Sequence, residues 1–238
     1  MQNKTLGIIL HSLKHSDKSS VITIYTEQFG RMSYMVYAIN NKKSKFRAAF
    51  MQPLSLVELD VYHQPNRDIQ QIKDIKISTP FVDIYSNPIK NLIALFVSEL
   101  LCKTLRHVEA EPELFRFLYN SVIFLDTCNE GLANFFMVFM MKLTSFLGFE
   151  PNIENDNNKY FDMLNGVFTN NAPNHKNILQ GEILHFFIQV LNTDFENLNT
   201  LHLTRENRRK ITEALIEYYH LHVVGFQELK SLEVLQEL

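Results

Sequence analysis

The apolar residues of this 238-residue chain change their spacing once, at Pro80, and that change limits the fold more than any other feature. Before it they alternate or gather in short runs rich in β-branched and aromatic types, the period-two pattern of strands. Five strands are predicted, at residues 5–13, 20–27, 30–38, 53–62 and 70–78, with turn-like breaks at 14–18, 28–30 and 63–67. Five short antiparallel strands in about 75 residues suit a small barrel. An OB-fold places an extra element in the gap between its third and fourth strands, and the longest gap here lies there.

After Asn87-Pro88, a cap with proline at the first helical position, the period becomes helical. Leu92, Phe96, Leu100 and Val108 form a stripe, with Ile93, Leu101 and Leu105 beside it. Further helices are predicted at 113–127, 131–148, 182–191 and 204–222, the last with Ile211, Leu215 and Tyr218 on one side. Residues 149–181 lose periodicity and fill with Asn, Asp and Gly, so a long loop or a small irregular hairpin is expected there. The expected class is α+β: a five-stranded OB-fold barrel over residues 1–80, then a helical domain over 81–238.

Charge follows the same division. Residues 1–80 hold 11 Lys and Arg against 6 Asp and Glu, a net +5, and the remainder holds 12 against 20, a net −8. A basic barrel on an acidic helical body points to a polyanion partner for the barrel. The apolar run 6–10 is too short for a signal peptide, so a cytoplasmic protein is expected. Cys102 and Cys128, both in apolar surroundings, are expected to be reduced core thiols.

Enzymatic motifs are missing. No His precedes Glu, no Gly precedes Lys and no two glycines stand two apart, which removes the metalloprotease, P-loop and dinucleotide signatures; the nucleophile elbow is missing too. His220 and His222 point in different directions on a helix, and His11 and His15 fall on a strand end and a turn. Neither pair has the geometry of a metal site. No cofactor and no metal are expected.

Three basic or apolar sets remain, each with two readings. Lys42, Lys43, Lys45 and Arg47 crowd into six residues of the long gap. They are either a solvated loop or a phosphate grip; the second reading gains from the loops at 14–20 and 63–69, which frame an OB-fold binding face and bring Lys14, Lys18 and Arg67 to it. On the adjacent strands, period two puts Thr23 and Tyr25, then Arg31, Ser33 and Tyr37, on the more polar faces, where bases could stack; of Tyr34 and Tyr37 only one can be outside. Arg205, Arg208, Arg209 and Lys210 follow a Thr204 cap, where cations oppose the helix dipole. That set either meets a phosphate, as a DNA-binding set, or an acidic partner, or it pairs with Glu206 and Glu213. The helix at 131–148, with Met137, Phe139 and Met141, is too polar to cross a membrane and is either a central buried helix or the wall of a methionine-lined groove.

Several segments carry a family resemblance: Leu10-His11-Ser12 with its serine-rich turn, Thr26-Glu27-Gln28-Phe29-Gly30-Arg31, the basic loop leading into Gln52-Pro53, residues 85–101 with Glu99-Leu100-Leu101, and Phe146-Leu147-Gly148-Phe149. Their order and spacing, across most of the chain, resemble the bacterial recombination and repair protein RecO family. The resemblance implies a non-enzymatic mediator that binds single- and double-stranded DNA through its OB-fold and anneals complementary strands. With RecR it would help load RecA onto DNA coated by single-stranded DNA-binding protein, whose acidic, Phe-ending tail would dock on the helical domain. Many relatives carry a four-cysteine zinc module between helices; residues 149–181 contain no cysteine, so zinc is not expected. Where the family's loop often begins Lys-Gly-x-Arg, this chain has Tyr37-Ala38-Ile39-Asn40. Where some relatives have Arg just before the Phe of the third helix, Met137 and Val138 precede Phe139, which leaves Lys142 as the nearest partner for a carboxylate.

A rival reading is a scaffold whose barrel binds an acidic protein, and an RNA-binding OB module differs from the leading one only in substrate.

Overall fold

A computed structural model of the chain describes residues 2–16, 19–37, 51–106, 109–152 and 159–235. The described residues fall into two compact units, Met1–Thr127 and Cys128–Leu238.

In the first unit, β1 (Gln2–Ser16), β2 (Ser19–Thr26), β3 (Gly30–Tyr37), β4 (Leu56–Tyr62) and β5 (Ile69–Thr79) close into a barrel in the order β1-β2-β3-β5-β4. All pairs are antiparallel except β3 with β5, which meet in parallel at Ser33↔Ile69. The OB-type barrel and α+β class expected from the alternation are therefore observed. Alternate residues point inward: Ile9, Ile22, Ile24, Tyr34, Val57, Leu59 and Val61 form the core, with Met32, Val36, Ile72, Ile75 and Ile77 packed against them. Each such side chain removed from water contributes about 1.5–3 kcal/mol. Gly7 is glycine for a spatial reason, since a Cβ there would lie 2.6 Å from Ile24 Cγ2.

Two strand ends differ from expectation. β1 continues to Ser16 through register shifts at Ile9/His11 and Lys14/Ser16, so Lys14 stands on a strand and not in a turn. The residues there are polar because the hairpin extends past the core, where backbone pairing persists without hydrophobic alternation. β4 starts at Leu56, not at 53. Leu54 sits at φ 62, a costly conformation for leucine, with its N–H bonded to Ile9 O at 2.8 Å.

Two helices belong to the same unit. In α1 (Pro88–Thr104) the Asn87 side chain accepts from the N–H groups of Ile89 and Lys90, the cap expected from Asn87-Pro88. α2 (Pro112–Thr127) lays Phe115 over Tyr25, with ring centroids 6.4 Å apart. Lys90, completely buried, donates to Asp126 O at 2.6 Å and pairs with Asp83 Oδ2 at 2.9 Å, while the Asp126 carboxylate accepts from the N–H groups of Val82, Asp83 and Ile84. This polar knot ties the strand-to-helix connection to the end of α2. Cys102 and Cys128 are free thiols as expected, but half-buried and not in the core, because an apolar sequence context does not say which side of a helix its neighbours cover.

The second unit is built around α3 (Leu132–Phe146), buried on nearly every side. Gly131 caps it at φ +66, and a Cβ there would fall 2.6 Å from the Leu198 backbone. Asn134 donates to Leu198 O and Leu201 O, both at 2.9 Å. Around α3 pack α4 (Gly181–Leu191), a 3₁₀ turn at Phe195–Thr200 and α5 (Arg205–His222); a three-stranded sheet of order β7-β6-β8, made of β6 (Tyr160–Asp162), β7 (Val167–Thr169) and β8 (Ile178–Gln180), lies against α4, and the one-turn α6 (Leu232–Leu235) brings Leu235 near Ala133 and Phe136. Within the stretch expected to be irregular, Asp162 accepts from Leu164 N, Asn165 N and Asn165 Nδ2, which pins the β6–β7 turn. Met137, Phe139 and Met141 are at most 2% exposed, so they are core and no groove opens onto them. The central-helix reading holds because every residue from Asn134 to Met141 is buried, which a run so largely apolar demands.

Candidate nucleic-acid interface

The register assigns the barrel's outer faces. With Ile22, Ile24 and Tyr34 inward, the outward side of β1, β2 and β3 carries His11, Leu13, Val21, Thr23, Ser33, Met35 and Tyr37, joined from β5 by Ile69 and Gln71. This face contains no carboxylate. Leu13, Tyr37 and Ile69 are 61%, 59% and 42% exposed, a high apolar exposure for one sheet face. The opposite side, on β4 and β5, is self-neutralised: Lys76 pairs with Glu58 at 2.9 Å, and Lys73 with Asp60 at 3.8 Å. Its lysines are engaged by carboxylates, whereas no carboxylate competes for a polyanion among the residues named on the first face.

Two of the expected basic residues lie at one end of the first face, where Ser33↔Ile69 pairing in parallel puts Arg67 level with Arg31. Lys14 pairs with Ser20, which pairs with Val36, so it has the inward parity of Ile22 and Tyr34 and stands at the barrel rim, not on this face. Arg67 is held in an ordered turn, its carbonyl accepting from the buried Gln70 side chain at 2.6 Å. Arg31 is half-buried beside α1: burial pushes the Cys102 thiol up to about 11, and the Arg31 cation nearby opposes that rise. Lys18, Lys42, Lys43, Lys45 and Arg47 lie outside the described residues.

The tyrosines separate clearly. Tyr34 is inside the barrel and Tyr37 outside, while Tyr25 faces outward by register yet is fully buried under Phe115, with its hydroxyl directed at Glu109 O. Tyr25 is thus not available for stacking. Leu13, Met35 and Ile69 were not singled out from the sequence; their exposure at alternate positions was the signal for them.

In the second unit Arg205, Arg208, Arg209 and Lys210 occupy the first turns of α5 after the Thr204 cap, which accepts from Asn207 N at 3.1 Å. Lys210 pairs with Glu206 at 2.6 Å and Arg209 with Glu213 at 3.2 Å, the pairing reading of these charges. The Lys210 ammonium holds the Glu206 carboxyl below its usual range. Arg208 donates to Leu203 O at 2.8 Å. The three arginines and Thr212 rim a cleft of about 10 Å³ whose apolar wall is Ala133, Phe136 and Leu235. Lys142 does not reach it; its ammonium pairs with Asp194. Among the described residues, no three His, Cys, Asp or Glu side chains gather as metal ligands, and no helix is long and apolar enough to cross a membrane.

Together the barrel and its carboxylate-free face define an α+β protein of the OB-fold class with a helical second half. Family models described as Recombination protein O N terminal and Recombination protein O C terminal match residues 1–81 and 85–233. The chain is 38% identical over 240 residues to the DNA repair protein RecO of Bacteroides fragilis, 35% over 239 residues to that of Azobacteroides pseudotrichonymphae, and 34% over 240 residues to that of Flavobacterium psychrophilum, in each case across 100% of this chain and 99% of the relative. The chain belongs to the recombination protein O family of DNA repair proteins.

Proposed function

We propose that this protein is a non-enzymatic, cytoplasmic mediator of recombinational repair that binds single- and double-stranded DNA, anneals complementary strands and, with RecR, helps load RecA onto DNA coated by single-stranded DNA-binding protein. The observation that carries the DNA reading is the outward face of β1, β2 and β3: uncharged and apolar at its centre, bearing exposed Tyr37, and cationic at the end where Arg31 and Arg67 lie. Single strands want that combination, because bases stack on aromatic and apolar side chains while Lys and Arg neutralise phosphates. Lys42, Lys43, Lys45 and Arg47 begin five residues beyond Tyr37 in the sequence and add four positive charges there. For the acidic, Phe-ending tail of single-stranded DNA-binding protein, the arginine-rimmed cleft of α5 offers carboxylate donors above an apolar wall, replacing Met137, Phe139, Met141 and Lys142 as the docking site.

Tyr37 gives the test. Tyr37→Ala is expected to weaken binding of a fluorescent oligo-dT by about 1–3 kcal/mol, roughly fivefold to 150-fold, with the melting temperature unchanged. Unchanged affinity removes the stacking platform. A barrel that binds an acidic protein but no oligonucleotide is the scaffold of the rival reading, and preference for matched RNA over DNA makes it an RNA module.

A further inference from the structure

Leu235 is the unusual member of the arginine cleft. It comes from α6, a single turn whose neighbour Val234 is 48% exposed, yet Leu235 itself is 1% exposed and faces Phe136, Ala133 and the three arginines. What remains of the cleft, about 10 Å³, holds one water at most. No aromatic ring enters it as it stands.

The segment that delivers Leu235 is short. A four-residue helix is far below the length that persists alone, so α6 keeps its place through its tertiary packing. Its described backbone ties beyond the helix are short-range, Leu232 N to Leu229 O and Leu235 N to Ser231 O, both at 3.2 Å. Leu229, 5% exposed, and Leu235 are the two apolar anchors of the segment 229–235. The free energy of burying them stands against the cost of ordering the residues between, and the two are similar in size. Glu233 stands two residues before Leu235, so the seated leucine, like the ligand proposed for the cleft, is a large apolar side chain with a carboxylate close to it in sequence.

We propose that α6 is an intramolecular plug: Leu235 occupies the apolar seat of the arginine cleft, and an acidic peptide ending in an aromatic residue docks by displacing it. The peptide's Phe ring takes the place of Leu235 against Phe136, and its carboxylates take the arginines. Docking is thereby coupled to release of the segment 229–235. This inference rests on the reading of the cleft as the tail site.

The experiment measures binding of a fluorescein-labelled poly-Asp peptide ending in Phe with a free carboxylate, to the full chain and four variants. Leu235→Ala, and separately a chain ending at Ser231, are expected to bind about tenfold more tightly than the parent, because the open state no longer competes with a seated leucine. Arg205→Glu with Arg209→Glu is expected to abolish binding in the parent and in the Leu235→Ala background. If both plug variants bind no more tightly than the parent while the arginine reversals still abolish binding, the cleft is the docking site and the plug is overturned. Binding that survives the reversals overturns the cleft reading itself. The truncation guards against a Leu235→Ala chain that is merely misfolded, and hydrogen exchange at residues 229–235, expected to rise on adding peptide, reports the displacement directly.

Discussion

Lys90→Ala is expected to destabilise the first unit by about 2–4 kcal/mol, because it empties a fully buried site and leaves the buried Asp126 carbonyl and the partly exposed Asp83 carboxylate without their donor. Lys90 is the only fully buried lysine among the described residues, and its ammonium satisfies both the Asp126 carbonyl and the Asp83 carboxylate. Asp126 in turn satisfies three backbone N–H groups at the strand-to-helix connection, so the loss propagates to residues 82–84. For a unit of this size the melting temperature falls by roughly 10–20 °C. The hydrogen bond from Lys90 holds the Asp83 carboxyl below its usual range, against a smaller opposing effect of burial. A depressed carboxyl stabilises the fold above its unfolded pKa, near 4, and loses that contribution as pH falls through the folded value. The gap between parent and variant therefore narrows in acid below about pH 4. A variant within 1 kcal/mol of the parent at neutral pH contradicts the role assigned to the knot.

Replacing Lys42, Lys43, Lys45 and Arg47 together by Glu is expected to give the largest loss of DNA affinity. Each phosphate contact on a single strand contributes about 0.7 to the slope of log affinity against log salt, which at 0.1 M salt is roughly fivefold per contact relative to 1 M. Removing all four phosphate grips at once therefore costs about several hundredfold in affinity. The loss should be nearly uniform across sequences, since phosphate contacts position a strand without reading it. Circular dichroism and the melting temperature, measured alongside, establish that the barrel is retained. A folded quadruple variant with parental affinity, salt slope and strand annealing makes the cluster a solvated loop and moves the DNA site elsewhere.

The barrel was legible because its core residues alternate: one parity argument puts Tyr34 inside and Tyr37 outside, as observed. The same parity turned Tyr25 outward correctly, but what covers it is Phe115, ninety residues on, and no local pattern reports such a neighbour. Polar residues 14–16 looked like a turn because strand pairing there continues beyond the hydrophobic core. The strands of the β6–β8 sheet are three residues each, too short for a period to show. In α3 nearly every residue is apolar, so sequence alone could not say which side chains reach a surface. That Ala133 and Phe136 border the cleft depends on arginines some seventy residues later and on Leu235. The cap at Asn87 and the caps and charge pairs of α5 were readable because they are made within one helical turn.

The central claim, that the barrel grips the backbone of single-stranded DNA while stacking its bases, is tested most directly by titrating the intact protein against fluorescent oligo-dT from about 50 mM to 500 mM salt. The predicted result is binding at low salt whose affinity falls as a power of salt concentration with a slope steeper than about −2, equivalent to three or more phosphate contacts. No binding at about 50 mM salt, or an affinity indifferent to salt, would contradict it.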